Sequence, residues 1–275
     1  MWGMSKLMDD DAPGRRAGDK GRYGRLNRGR VLASALEVVD RDGLSGLSMR
    51  RLGSELGVEA MALYRYAASK DELLDGLVEV YCQELEAVLD EERANGKANG
   101  KANGKANGKA GGKANGKENG QSSGQASAQP DSVPPDWRRE LHRIAVAAYG
   151  VGMRHPNVVP LLATRLLSTP LARRRMAVLA FDERILDLLH RAGLTEGAAV
   201  ALHRAFTAWV LGYLLVELRA MDDQPDELDP AFRLGLHRLP AQELPRLRAT
   251  AVSLADRGGT DGLVAGLDAL FDRFG

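Results

Sequence analysis

The sequence predicts an all-α chain in two helical units, on three observations. Apolar residues recur at helical spacing through most of its 275 residues. No run of alternating β-branched residues is long enough for a strand. A low-complexity stretch, residues 94–135, parts a smaller helical block from a larger one. The length supports two cores of ordinary size, and 44% hydrophobic with 27% charged residues is a globular composition. A single cysteine, Cys82, excludes an internal disulfide and a cysteine metal cluster. It reads as a small buried helix residue. No metal and no cofactor is expected. The chain has no stretch of about 18 apolar residues, so no membrane span is expected. Ala205–Val216 reads as a buried helix. The N-terminus carries Asp9, Asp10 and Asp11 and no apolar signal core, which points to the cytoplasm.

Net charge is +1, but the charges are segregated. Residues 14–30 hold seven Lys/Arg against Asp19, and residues 69–93 hold nine acids against Lys70 and Arg93. Such a basic arm is a nucleic-acid footprint or a solvated tail. Residues 1–21 read as a disordered arm and 22–93 as the small helical domain. Its first helix carries Val31, Leu32, Ala35, Leu36 and Val39 on one stripe, capped by Asn27 and ended by Gly43. Ser48 caps a second helix over 49–56, with Leu52 and Leu56 inward, and Gly57 ends it. A short third helix spans about 60–67. Ser69 with Glu72 forms a capping box for a fourth, reaching the acids near residue 93.

Residues 94–121 are seven tetrads, mostly Ala-Asn-Gly-Lys. Gly and Asn at fixed spacing break helices, and Ala alone offers no apolar face. Residues 94–135 therefore read as a flexible, weakly basic linker. Helices resume over 136–275. Asp136 opens one with Trp137, Leu141, Ile144 and Ala148 on a face, and Pro156 and Pro160 bend the next segment. A helix from Pro170 to Ala192 is closed by Gly193. Thr195 caps a long helix to residue 221.

Two short helices about a glycine turn, with Gly53 small enough for close packing, make a helix-turn-helix. If Val58 and Leu63 face the core, about 100° per residue puts Ala60, Met61, Tyr64 and Arg65 on the opposite face. An exposed strip of this kind suits the major groove, which admits an α-helix. There Arg65 could reach guanine, Met61 and Ala60 thymine methyls, and Tyr64 a phosphate. Arg50 lies near the groove edge. Lys70 adds charge to backbone N–H groups suited to a phosphate.

The run from Gly46 to Leu77, with Gly46-Leu47-Ser48, the Leu-Gly-Val turn, Leu63-Tyr64 and Ser69-Lys70 before Leu73-Leu74, resembles the DNA-binding domain of TetR-family repressors. That resemblance spans about residues 26–85. It implies that Arg50, Ala60, Met61, Tyr64, Arg65, Tyr66 and Lys70 face DNA. Ala67 stands where the family usually has a packing aromatic, and Met61 where a small residue or proline is common. The larger unit is similar to the tetracycline-repressor branch. His155 matches a drug-contacting histidine and Thr164 a threonine near magnesium, while Leu161 replaces the metal-binding histidine. A mostly apolar effector other than magnesium–tetracycline is therefore implied.

Residues that could supply polar or aromatic groups to an effector cavity are His142, Tyr149, His155, Arg165, His203, Phe206 and Trp209, with Thr164 from the resemblance. Each also suits a core position. The long helix is apolar nearly all round from Ala205 to Val216, and Leu263, Leu267, Leu270 and Phe271 share a face of the last helix. Gly262 and Gly266 permit close approach there. These faces predict a two-fold homodimer through Leu211, Leu215, Leu263, Leu267, Leu270 and Phe271, as TetR-family proteins dimerise through such a bundle. Two reading heads about one DNA turn apart imply a palindromic operator. The expected function is a ligand-responsive regulator, a repressor released from double-stranded DNA by a small effector. Two alternatives stand beside it. One is a ligand-independent architectural DNA binder, marked by steep salt dependence. The other is a helical enzyme using His142, His155 or His203 with Asp182 or Glu183, though no catalytic motif stands out.

Overall fold

The computed structural model describes residues 26–107, 136–219, 240, 242–255 and 258–274. The expected arm over 1–21 and the tetrads beyond residue 107 lie outside the described residues. Every regular element described is helical, and no strand occurs among these residues.

Helix α1 spans Arg28–Gly46, and the Arg30 N–H donates to the Asn27 cap at 2.8 Å. It buries Val31, Leu32, Ala35, Val38 and Val39. Gly43, expected to end it, kinks it instead at φ 72, and helical turns resume to Gly46. Helix α2 is Met49–Leu56, capped by Ser48 and closed by Gly57 at φ 67. A Cβ on Gly53 would sit 2.8 Å from the Val58 carbonyl oxygen, so only glycine fits this crossing.

Helix α3 is shorter than expected, Ala60–Leu63 rather than 60–67. The Leu63 carbonyl accepts from both Tyr66 N–H (2.8 Å) and Ala67 N–H (3.1 Å), which winds the chain into a turn. Helix α4 starts at Lys70; Glu72 N–H donates to Ser69 Oγ, and the Glu72 carboxylate accepts from Ala68 N–H, one residue before the expected box partner.

Helix α4 corrects the linker boundary, because it continues through the first tetrads to Asn107. Elongation adds one hydrogen bond per residue to an existing nucleus, which outweighs the weak propensity of the glycines here. Among the residues of α4 whose burial is described, Leu89 is the last that is buried. Along the packed part, α4 lies against α1 and against the larger unit.

The larger unit comprises α5 (Trp137–Arg154), α6 (Val159–Ser168), α7 (Met176–Arg191), α8 (Glu196–Arg219), α9 (Pro245–Ala255) and α10 (Gly259–Phe271). Pro160 sits in the first turn of α6, where its missing N–H costs nothing. Pro170 does not open a helix to Ala192. It begins a single 3-10 turn, after which Arg174 and Arg175 are extended and α7 starts at Met176. Helix α8 packs against α5, α6, α7 and α10. Its stretch Glu196–Leu218 is long and apolar enough to cross a membrane by length and composition alone. Leu202, Phe206 and Leu214 on it are buried in the bundle.

The expected dimer residues are largely spent within the chain. Leu263, Leu267 and Phe271 are fully buried, and Leu211 is nearly so. Phe271 packs at 5.2 Å from both the Trp137 and His142 rings. Gly266 and Gly262 admit Trp209 and Tyr213, and the Trp209 indole donates to the Leu263 carbonyl at 3.2 Å. The apolar stripe of α10 thus closes its own bundle. Leu215 and Leu270 are half-buried, and Val216 is 70% exposed.

Candidate nucleic-acid interface and effector cavity

At the outer surface of the helix-turn-helix, Leu63 is fully buried while Met61 is 73% and Tyr64 44% exposed. Arg65, Arg50 and Lys70 are exposed as well. None of these three cations forms an ion pair with another described residue, whereas Arg28, Arg41 and Arg51 are engaged by Glu79, Glu55 and Asp42. The free cations and exposed apolar side chains lie on α2, on α3 and the turn after it, and at the start of α4. Ala60 is half-buried. Tyr66 differs from its neighbours: it is half-buried, and its hydroxyl donates to the Leu26 carbonyl at 2.8 Å. Its first role is to tie the recognition turn to the start of α1. Ala67 is buried despite its small size.

Two sets of contacts join this surface to the larger unit. His155, in the α5–α6 connection, lies between Asp40 Oδ2 (2.7 Å) and Glu84 Oε2 (2.9 Å). Beside it Arg154 pairs with Glu84, and the Asn157 amide donates to the Val39 carbonyl at 2.9 Å. At the start of α4, Arg165 reaches Asp75 (2.5 Å) and Asp71 (2.7 Å), and Arg175 reaches Glu72 (2.6 Å). The start of α4, next to Lys70, is therefore held by α6 and by the residue preceding α7.

A cavity of about 60 Å³ lies between α4, α5, α6, α7 and α8. Its wall is mainly aliphatic and aromatic, with Phe181 and Phe206 among the largest groups. The polar exceptions are Tyr81, Cys82, Asp182 and Thr207. The Tyr81 hydroxyl is committed to the Ala148 carbonyl at 2.7 Å. Burial, aided by nearby Asp182, Glu86 and Glu79, pushes the Cys82 thiol up to about 12, so it stays protonated and unreactive. Asp182 is held by Arg174 and His203, each at 3.1 Å. Among the described residues no His, Cys, Asp and Glu group could hold a metal ion.

Residues 31–77 match the family described as bacterial regulatory proteins, tetR family, and residues 129–271 match the tetracyclin repressor-like C-terminal domain. The chain belongs to the TetR family. Its helix-turn-helix unit is that of a family of bacterial regulatory proteins. The HTH-type transcriptional repressor DrrR1 of Streptomyces coeruleorubidus is 52% identical over 50 residues, 18% of each chain. The tetracycline repressor protein class D of Escherichia coli is 43% identical over 53 residues, 19% of this chain and 24% of the relative. An HTH-type transcriptional regulator of Saccharopolyspora erythraea is 26% identical over 192 residues, 70% of this chain and 61% of the relative. The matches thus span less than two thirds of these relatives' lengths. Among solved structures, Streptomyces coelicolor ActR in complex with (S)-DNPA is similar in fold, with TM-score 0.61, 20% identity and coverage of 90% and 97% of the two chains.

Within this TetR-family chain the nominated effector residues scatter. Phe206 lines the cavity. His155 does not; it is the clamp between α1 and α4. His142 sits at the α5–α10 contact, its Nε2 2.9 Å from Asp268 but at an angle that makes no hydrogen bond. Tyr149 reaches Glu217, and the exposed Thr164 hydroxyl bonds back to the Pro160 carbonyl. His203 stands behind Asp182, Trp209 covers Gly266, and Arg165 belongs to the α4 latch. Sequence reading looked for polar groups at periodic positions. The cavity is lined instead mainly by Leu, Val, Ile, Ala and Phe side chains. The missed Tyr81-Cys82 pair on α4 carried one legible signal, a polar pair inside an otherwise apolar stripe.

Proposed function

We propose that this regulator is a dimeric repressor whose grip on a near-palindromic operator is released by a small, mostly apolar effector. The observation that carries the DNA half is the exposed set of Arg50, Met61, Tyr64, Arg65 and Lys70. Free cations beside exposed apolar groups match phosphates beside base edges. The repressor sense is supported by the names borne by DrrR1 and the class D tetracycline repressor. The effector half rests on the apolar cavity, which touches α4 directly at Tyr81, Cys82 and Leu85. At about 60 Å³ it is smaller than the several hundred Å³ of a typical ligand site. Filling it must therefore spread α4 from α6 and α7, and α4 carries the reading head. A coupling of about 1–3 kcal/mol, a 5–150-fold change in affinity, suffices for a switch. Such a protein works in the cytoplasm, on double-stranded DNA.

The test is selection of bound DNA from a random pool with the full chain. A palindromic consensus is expected. Enrichment blind to sequence, with steep salt dependence, would instead establish an architectural binder.

A further inference from the structure

The cavity is not closed off from charge. A crevice of about 20 Å³ opens beside it, lined by Arg165, Arg173, Arg174, Arg175, Asp75 and Thr169 among others. Leu166 and Val178 belong to both walls, so the two spaces adjoin. Four arginines therefore line a crevice beside an apolar chamber. Three are engaged: Arg165 by Asp71 and Asp75, Arg175 by Glu72, and Arg174 by Asp182. Arg173 is exposed and pairs with no described residue.

We infer that the effector is an amphipathic anion, an apolar body with a carboxylate head, its body in the cavity and its head among Arg165, Arg173 and Arg175. This rests on the reading of the cavity as the effector site. A planar carboxylate matches the guanidinium fork bidentately, and a neutral head would leave that match unused. Arg173 supplies a cation that needs no intrachain partner to be displaced. The acids of α4 occupy the other two in the unliganded chain, so an entering carboxylate competes with Asp71, Glu72 and Asp75. Winning that competition loosens the first turns of α4 from α6 and from Arg175, beside Lys70. The identity of the head group and the release of the reading head are then one event.

The probes are matched pairs of acid and amide: naphthylacetate against naphthylacetamide, and decanoate against decanamide, titrated calorimetrically into the full chain. In each pair that binds, the acid is expected to bind about ten-fold more tightly, as hydrogen bonds to charged groups do. Arg173→Gln, at an exposed site, is expected to remove that preference and leave amide affinity unchanged. Asp75→Asn, which removes a competitor, is expected to strengthen the acid alone. Equal binding of acid and amide, or an Arg173→Gln variant that keeps the preference, overturns the anionic class while leaving the cavity as the effector site. Failure of all four probes overturns both.

Discussion

Arg65 and Lys70 carry the same charge at the same surface, yet their settings assign them different work. Arg65 sits on the recognition turn between exposed Tyr64 and half-buried Tyr66, and Lys70 opens α4. Arg65→Ala is expected to relax base choice at one operator position, at a cost of about 1–3 kcal/mol. Lys70→Ala is expected to weaken all sites alike and lower the salt slope by about one unit. Competition binding on operator variants at several salt concentrations separates the two; identical behaviour would remove α3 from the groove. Gly53 is the steric counterpart. A Cβ there meets backbone rather than a movable side chain. Gly53→Ala is expected to destabilise the chain by about 1–3 kcal/mol in urea denaturation.

Helix α4 packs against α1 and the larger unit, and polar contacts add to its buried apolar stripe. Burial raises the Glu140 carboxyl, but the hydrogen bonds and charges of Arg143 and Arg93 outweigh it and hold the group at about 2. Arg143 and Arg93 bring α5 and α4 together there, and Arg184 on α7 pairs with Glu86 on α4. A carboxyl depressed on folding stabilises the fold above its ordinary value of about 4.3. That contribution is lost as pH falls through the folded value. Acid titration of stability should therefore steepen between about pH 5 and pH 2. Glu140→Gln should flatten that limb and lower stability at neutral pH. Close by on α4, Glu84 meets His155 of the α5–α6 connection, which also reaches Asp40 on α1. His155→Ala is expected to speed hydrogen exchange at the end of α1, near Val38 to Asp40, more than at the middle of α8.

For the whole molecule, the self-buried stripe of α10 leaves the proposed dimer only the outward faces of the same two helices. Val216 on α8 is the large apolar side chain left most exposed there, with half-buried Leu215 and Leu270 nearby in sequence register. Val216→Glu should leave the monomer folded and shift sedimentation equilibrium toward it. Operator affinity should fall steeply, because two half-sites then no longer act together. An unchanged dimer would place the interface elsewhere.

The sequence by itself determined the helical class, the caps at Asn27, Ser48 and Asp136, the glycine turn at Gly57 and the exposure of Met61, Tyr64 and Arg65. These depend on neighbours within one or two turns, where spacing and residue chemistry suffice. The tertiary structure alone decided which apolar stripes were used up inside the chain and where the cavity lies. It decided too that His155 is a clamp and that Arg165 and Arg175 engage acids of α4. Those outcomes join side chains dozens of residues apart. A helix pattern states which face must be covered, but only packing selects what covers it.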